Sequence, residues 1–271
     1  MNQTALTGVM SASRDLSVIS NNLANAMTVG FKRSTSQFVD IMGPSQTERP
    51  GVAVGQGTLQ QSIRRTETQG EIKSTQSSLD LAITGPGLFT FGDANPTPGA
   101  DPTYSYTRAG QLKLNEKGDL TDSVGRKLMG LPVAGGTTPK PINILADAGG
   151  DLTQISSISI NNKGVISVIR NDGVTKQVAA VALARFSNED GLKNLGGSTV
   201  GETDVSGQAE FSRAATNGMG QVTQGSLEQG NVDMTSELLN MIRAQQAYNG
   251  NARALQTGSE MLRSAIETLT R

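Results

Sequence analysis

Cysteine and histidine are both absent from this 271-residue chain, and so is tryptophan. Without thiols there are no disulfides, no cysteine nucleophiles and no thiolate metal sites. Without imidazole, the Ser-His and Cys-His catalytic devices and histidine-ligated metals are excluded. Carboxylate and lysine chemistry stay open. Aromatic residues make up 3% of the chain and hydrophobic residues 35%. Globular domains usually reach roughly 45–50%, in a count that also includes Gly. A chain this poor in large apolar groups does not build one thick core along its whole length. The expectation is a modest β-rich core, plus segments that bury their apolar faces against partner chains.

An excess of charge of one sign is missing too, since 23 basic and 24 acidic residues leave a net charge of −1. Nucleic acid and anionic membrane both call for a basic excess, so neither is expected as a partner. No basic cluster is longer than a pair such as Arg64-Arg65. No apolar run approaches ~20 residues, so membrane insertion by a helix is not expected. The opening MNQTALTGVM lacks a basic region ahead of an apolar core, and no cleaved signal peptide is expected from it.

The ends of the chain carry a clear period. Ala5, Val9, Ala12, Leu16, Ile19, Leu23 and Ala26 follow one another at alternating spacings of 4 and 3. That is a heptad seam on a helix over about 2–28. Asn2 or Thr4 is placed to cap it and Gly30 to stop it. At the other end Met234, Leu238, Met241, Gln245, Tyr248, Ala252, Leu255, Ser259, Leu262, Ile266 and Leu269 keep the same alternation. Asn231 or Asp233 is placed to cap this second helix. Gly250 and Gly258 each lower its intrinsic stability by ~1 kcal/mol relative to Ala, so it depends on packing. Both seams are narrower than the apolar face of an ordinary globular helix. Either both helices pack on the middle of the chain, or the two ends pair with each other. In the second case Leu16, Ile19 and Leu23 meet Leu255, Leu262 and Ile266, within one subunit or between neighbours.

The middle is broken by Gly, Pro, Asn and Asp into short strand-like runs at 79–83, 88–91, 104–107, 111–114, 155–160, 165–169 and 178–186. Asn161-Asn162-Lys163-Gly164 and Asn171-Asp172-Gly173 read as tight hairpin turns. The predicted organisation is an N-terminal helical segment at 1–40, an extended connector at 41–75 and a β-rich domain at 76–211. A second connector follows at 212–230, then a C-terminal helical segment at 231–271. The predicted fold class is α+β, with the terminal helices forming a coiled-coil inner domain and the middle mainly antiparallel β.

No catalytic constellation is found, so no enzyme activity, cofactor or metal is expected. Gly85-Pro86-Gly87 lacks the third Gly and the following helix of a dinucleotide fingerprint. Asp93, Asp101, Asp119, Asp122, Asp147 and Asp151 sit near turns without EF-hand spacing, where Asp is an ordinary turn former. There is no Gly-x-Ser-x-Gly elbow.

Two terminal motifs carry a resemblance. The run Ile19-Ser20-Asn21-Asn22-Leu23-Ala24-Asn25-Ala26-Met27-Thr28-Val29-Gly30-Phe31-Lys32-Arg33 resembles the signature of the bacterial flagellar rod and hook family. Gly225-Ser226-Leu227-Glu228-Gln229-Gly230-Asn231-Val232-Asp233, with Glu237 to Ile242 and Ala244 to Tyr248 after it, resembles that family's lead into its last helix. Leu79 to Ile83, Gly87-Leu88-Phe89 and Tyr106-Thr107-Arg108-Ala109-Gly110 agree as well, so the resemblance covers nearly the whole chain. Its signature positions here are Asn21, Asn22, Ala24, Asn25, Gly30, Phe31, Lys32, Asn231 and Val232.

The resemblance implies a structural subunit of the flagellar axis. Copies of the chain would polymerise helically into a hollow tube that transmits torque and conducts exported subunits. The paired terminal helices would line the tube, with the β domain outside. The subunit interface would then run through Val9, Ala12, Leu16, Ile19, Leu23, Ala26, Leu238, Met241, Tyr248, Leu255, Leu262, Ile266 and Leu269. Implied partners are further copies, neighbouring rod, hook and junction proteins, the flagellar export apparatus and an assembly cap. Export would proceed without a cleaved signal, to the hook outside the cell or to the rod in the periplasm. Residues 244–252 and 128–133 lean toward a short hook-type subunit. A distal rod subunit is the alternative and a proximal rod protein the third. From another class, a secreted oligomeric binding module also fits a β domain with helical ends.

Overall fold

The computed structural model describes residues 2–42, 55–93, 103–133, 136, 138–148 and 155–269, which fall into two compact units. The class is α+β, with antiparallel sheets and a helix at each end of the chain.

The first unit draws on residues 1–26, 33–66 and 232–271. It contains the N-terminal helix Asn2–Ala24, a hairpin of strands Ser34–Met42 and Gly55–Arg65, and the C-terminal helix Met234–Leu269. Asp233 caps the C-terminal helix. Its Oδ1 accepts the Thr235 amide at 3.0 Å and its Oδ2 the Ser236 hydroxyl at 2.5 Å. These bonds favour the ionised form, the Ser236 hydroxyl most, and hold the Asp233 carboxyl below the usual range.

The two helices run antiparallel. Gly8 lies against Asn251, and 14 residues further on Asn22 shares a cleft with Glu237, 14 residues back. The N-terminal helix also holds the hairpin. Ser11 Oγ meets Thr58 Oγ1 at 2.9 Å, and Thr7 Oγ1 accepts the Thr58 amide at 3.3 Å.

The second unit comprises residues 27–32 and 67–231. Its large sheet runs in the order Ile155–Ile160, Val165–Arg170, Thr175–Arg185, Lys127–Leu131, Leu88–Gly92, Tyr104–Thr107, Thr199–Gly201 and Lys193–Gly196. The long strand Thr175–Arg185 is its spine and pairs also with Glu210–Arg213. Two small pairs complete it, Leu81–Thr84 with Gln221–Gln224 and Ile72–Ser74 with Ser226–Glu228. The core gathers Leu81, Ile83, Phe89, Phe91, Leu120, Leu128, Ile166, Val181, Leu183 and Val222. Burying each such side chain contributes about 1.5–3 kcal/mol. The few aromatics are concentrated here. Tyr106 and Phe186 stack edge to face with centroids 4.8 Å apart, as Tyr104 and Phe211 do at 5.4 Å.

Several expectations need correction. Residues 34–42 are strand rather than part of a helical segment, and 55–65 is their antiparallel partner rather than extended connector. The stretch 212–230 is likewise paired structure, through Gln221–Gln224 and Ser226–Glu228. The N-terminal helix ends at Ala24, six residues before Gly30. Gly85-Pro86-Gly87 is a turn between two core strands, where the Gly220 amide donates to the Pro86 carbonyl at 2.7 Å. Asp101 and Asp151, the segment 43–54 and the side chain of Leu269 lie outside the described residues.

Candidate assembly interface

Along the N-terminal helix and the turn after it every seam position from Ala5 to Ala26 is buried or half-buried, with Ala12, Ile19 and Ala26 buried. The C-terminal helix turns a different stripe inward. Its covered positions are Glu237, Asn240, Met241, Ala244, Asn251, Ala252, Leu255 and Gly258. Met241, Ala252 and Leu255 belong to both this stripe and the apolar seam read from sequence. Leu238, Tyr248, Leu262 and Ile266 are exposed in the single chain, the last two by 57% and 60%. The antiparallel offset sets Leu16, Ile19 and Leu23 near residues 236–243 of the same chain, so Leu255, Leu262 and Ile266 are not their partners there.

The physical reason lies in side-chain size. Ala244, buried and small, lets the helix backbone come close, whereas Leu238, Tyr248, Leu262 and Ile266 are left on the outside. Leu239, Ile242 and Met261 are exposed as well, and so are Phe38, Leu59 and Ile63 on the hairpin. Apolar surface of this extent marks an interaction face.

Between the helices and the Ser34–Met42 strand lies a cleft of 460 Å³ lined by Asp15, Asn22, Arg33, Ser36, Phe38, Glu237, Arg243 and Ala247, among others. Asn22 brackets the strand start, donating to the Ser34 carbonyl at 2.7 Å and accepting the Ser34 amide at 2.9 Å. Arg33 Nε pairs with Glu237 Oε1. Burial raises the pKa of Asp15, a hydrogen bond with Ser36 opposes the rise, and the Glu237 charge adds to it.

The second unit holds a buried ionic knot. Lys32 Nζ donates to Glu228 Oε1 at 2.6 Å and to the Thr68 carbonyl at 2.8 Å. The same Oε1 accepts the Gly70 amide at 3.0 Å, and Arg108 Nη1 reaches Oε2 at 3.3 Å. Burial lowers the Lys32 pKa, and the Glu228 carboxylate acts against that. Gly30 donates its amide to the Glu228 carbonyl at 2.9 Å. Asn231 donates its side-chain amide to Thr68 O at 2.9 Å and Oγ1 at 3.0 Å, and its backbone amide to the Phe31 carbonyl at 3.3 Å. Segments 30–32, 68–71 and 228–231 are thereby tied together.

Of the signature positions, Gly30, Phe31, Lys32 and Asn231 thus meet in one knot, and Asn22 anchors the hairpin. Asn25 donates to the Asn21 carbonyl at the helix end at 3.0 Å. Asn21 and Ala24 are exposed and Val232 is half-buried. Sequence reasoning passed over Asp15, Arg33, Arg108, Glu228 and Glu237. Four of these stand inside quoted motifs, but charge pairing across some 200 residues leaves no local pattern. Among the described residues no group of three or more His, Cys, Asp or Glu is placed to hold a metal. No described helix is long and apolar enough to cross a membrane.

Comparison with known proteins agrees with this geometry at both ends. Residues 3–32 match the family description "Flagella basal body rod protein". Residues 82–168 match "Flagellar hook protein FlgE/F/G D1 domain", and residues 223–268 match "Flagellar basal body rod FlgEFG protein C-terminal". The chain is 34% identical over 269 residues to the flagellar basal-body rod protein FlgG of Buchnera aphidicola subsp. Acyrthosiphon pisum, covering 94% of each chain. To that of Borreliella burgdorferi it is 34% identical over 271 residues, covering 96% of this chain and 94% of the relative. The flagellar hook protein FlgE of Salmonella typhimurium is 23% identical over 408 residues, covering 97% and 98%. An alignment that long opens wide gaps in a 271-residue chain. The names of the more similar relatives thus back the rod alternative better than the hook-type reading.

Proposed function

We propose, since this chain belongs to the family of flagellar basal-body rod and hook proteins, that it is a distal rod subunit. That family is structural and not a family of enzymes. Its members assemble into the helical axial structure of the flagellum, in the basal body or hook. In the distal rod, copies of this chain stack into a hollow shaft across the periplasm that turns with the motor and lets later subunits pass. The observation that carries the finer reading is the match to rod relatives along nearly the full length of both chains.

The buried knot suits this role. A subunit under torque needs its crossing segments held against sliding, and Lys32, Arg108 and Glu228 hold three of them with charge-assisted bonds. The exposed Leu238, Tyr248, Leu262 and Ile266 serve as contact surface between copies. Passage through the flagellar export apparatus and contact with hook, junction and cap proteins belong to the same reading.

Deletion of the gene in its own bacterium tests it. A distal rod subunit leaves cells non-motile, with a truncated rod and no hook. A complete rod that lacks only its hook would instead make this a hook subunit.

A further inference from the structure

Glu237 carries an unmatched atom. Its side chain is 1% exposed, Arg33 occupies Oε1, and Oε2 is buried without a hydrogen-bond partner. A buried polar atom left unpaired is costly, more so on a charged group. This carboxylate lines the 460 Å³ cleft, whose other polar groups include Asp15 and, at the rim, the exposed Arg243. Two acids and two arginines leave the cleft near neutrality. A cation is therefore drawn by the free oxygen itself and not by net charge. The walls are apolar, from Val18, Ile19, Phe38, Ala244 and Ala247.

A complementary feature sits elsewhere on the same chain. With Gly8 opposite Asn251, the antiparallel offset brings Asn2 level with residue 257. Among the described side chains Gly258 is the last buried position of the C-terminal helix, and 259–268 are all exposed. Leu262 and Ile266 form an apolar stripe on this overhang, one turn apart. Arg263 stands at its edge, 83% exposed and paired at 3.3 Å with Glu267 of its own helix, a surface contact of small worth. The overhang cannot reach the cleft of its own chain. It begins 15 residues past Ala244, or ~22 Å along a continuous helix.

We propose that in the assembled axis the overhang of one copy docks on the cleft of another. Leu262 and Ile266 cover Phe38 and Ala247, and the Arg263 guanidinium bonds Glu237 Oε2 and the Asp15 carboxylate. A guanidinium presents five donors in a planar fork and can serve two acids at once. The contact is heterologous, overhang to cleft, which is the kind that propagates into an open helix and does not close into a dimer. The inference rests on self-assembly of this chain and not on whether the tube is rod or hook.

The lack of cysteine makes the test clean. A chain carrying both Ser36→Cys and Arg263→Cys has two thiols and no others. Hook–basal bodies are isolated from cells in which it is the sole copy, then mildly oxidised. The expected result is a ladder of disulfide-linked multimers that collapses with reductant, while each single variant stays monomeric. Monomer alone, with both thiols open to maleimide, overturns the docking. Arg263→Lys keeps the cation and covers the case in which the double variant does not assemble. Carbodiimide should then couple position 263 to Asp15 or Glu237 of another copy, mapped by mass spectrometry. Coupling elsewhere only, or failure of these tubes to form, overturns it as well. If wild-type basal bodies lack the chain altogether, the axial reading itself fails. If they contain it and no link forms, only the docking does.

Discussion

Lys32 and Glu228, 196 residues apart in sequence, meet at 2.6 Å inside the second unit with side chains 1% and 0% exposed. One belongs to the N-terminal signature and the other to the motif before the last helix, so the two resembling ends are one object in space. Removing one partner strands a buried charge, at a cost of about 3–5 kcal/mol. Glu228→Gln, which strands both Lys32 and Arg108, should show that loss in urea unfolding of the full chain, and Lys32→Met, which leaves Glu228 its bond to Arg108, a smaller one. Lys32→Met with Glu228→Met should cost clearly less than the sum. Single variants as stable as wild type would mean that the knot is not formed in solution.

Two glycines should respond with opposite sign. Gly30 has φ +68°, and a Cβ there would sit 2.5 Å from the Ala109 amide nitrogen. Gly30→Ala should cost ~1–2 kcal/mol for the left-handed backbone alone, and more for displacing Ala109. Gly250 lies in the exposed C-terminal helix with nothing within 4 Å of an added Cβ. Gly250→Ala should stabilise the isolated chain by ~1 kcal/mol. Thermal unfolding of both variants checks the pair.

Asp15 gives a pH dependence of defined sign. Its folded pKa is raised, by burial first and by Glu237 after the opposing Ser36 bond. The folded state therefore holds the proton more tightly than the unfolded one. The stability this contributes is present below the unfolded value and is lost as pH rises through the folded value. Asp15→Asn should flatten that decline and leave the chain more stable than wild type at neutral pH. Thermal melts across the acid-to-neutral range measure it. A variant whose curve parallels the wild type throughout would contradict the assignment.

The helical faces separate folding from assembly. Leu262→Asp changes an exposed position, so the isolated chain should keep its stability within about 0.5 kcal/mol while rod assembly and motility are lost. Ile19→Asp changes a position 5% exposed. It should cost more than the ~2–5 kcal/mol of truncating a buried Ile, because a carboxyl is desolvated. Urea unfolding and a swimming assay together distinguish the two.

Much of the β unit is legible from turn chemistry. Asn161 Oδ1 accepts the Lys163 and Val165 amides at 3.0 and 2.9 Å, and Gly164 and Gly173 take positive φ at the two hairpins. The strand Lys127–Leu131 is harder to see, since Gly130 weakens its pattern. Gly is there because a Cβ would lie 2.6 Å from Ile142 Cγ1, a packing demand that no local signal carries. On the C-terminal helix the apolar seam falls partly on the covered face, at Met241, Ala252 and Leu255, and partly on the outer surface, at Leu238, Tyr248, Leu262 and Ile266. The face turned to its neighbour helix holds Glu237, Ala244, Asn251 and Gly258, chosen for size and pairing. The ionic knot was hidden for a similar reason, because its members are adjacent only after folding. The leaning toward the hook rested on two short motifs, at 244–252 and 128–133, too little sequence to separate subunits of one family.

The proposed role places this chain in the rod. Electron cryo-microscopy of basal bodies purified from its own bacterium, at side-chain resolution, tests it most directly. This sequence should fit the density of the distal rod, with the Lys32–Glu228 contact intact in every copy. Density for this chain only in the hook, or none anywhere along the axis, would contradict it.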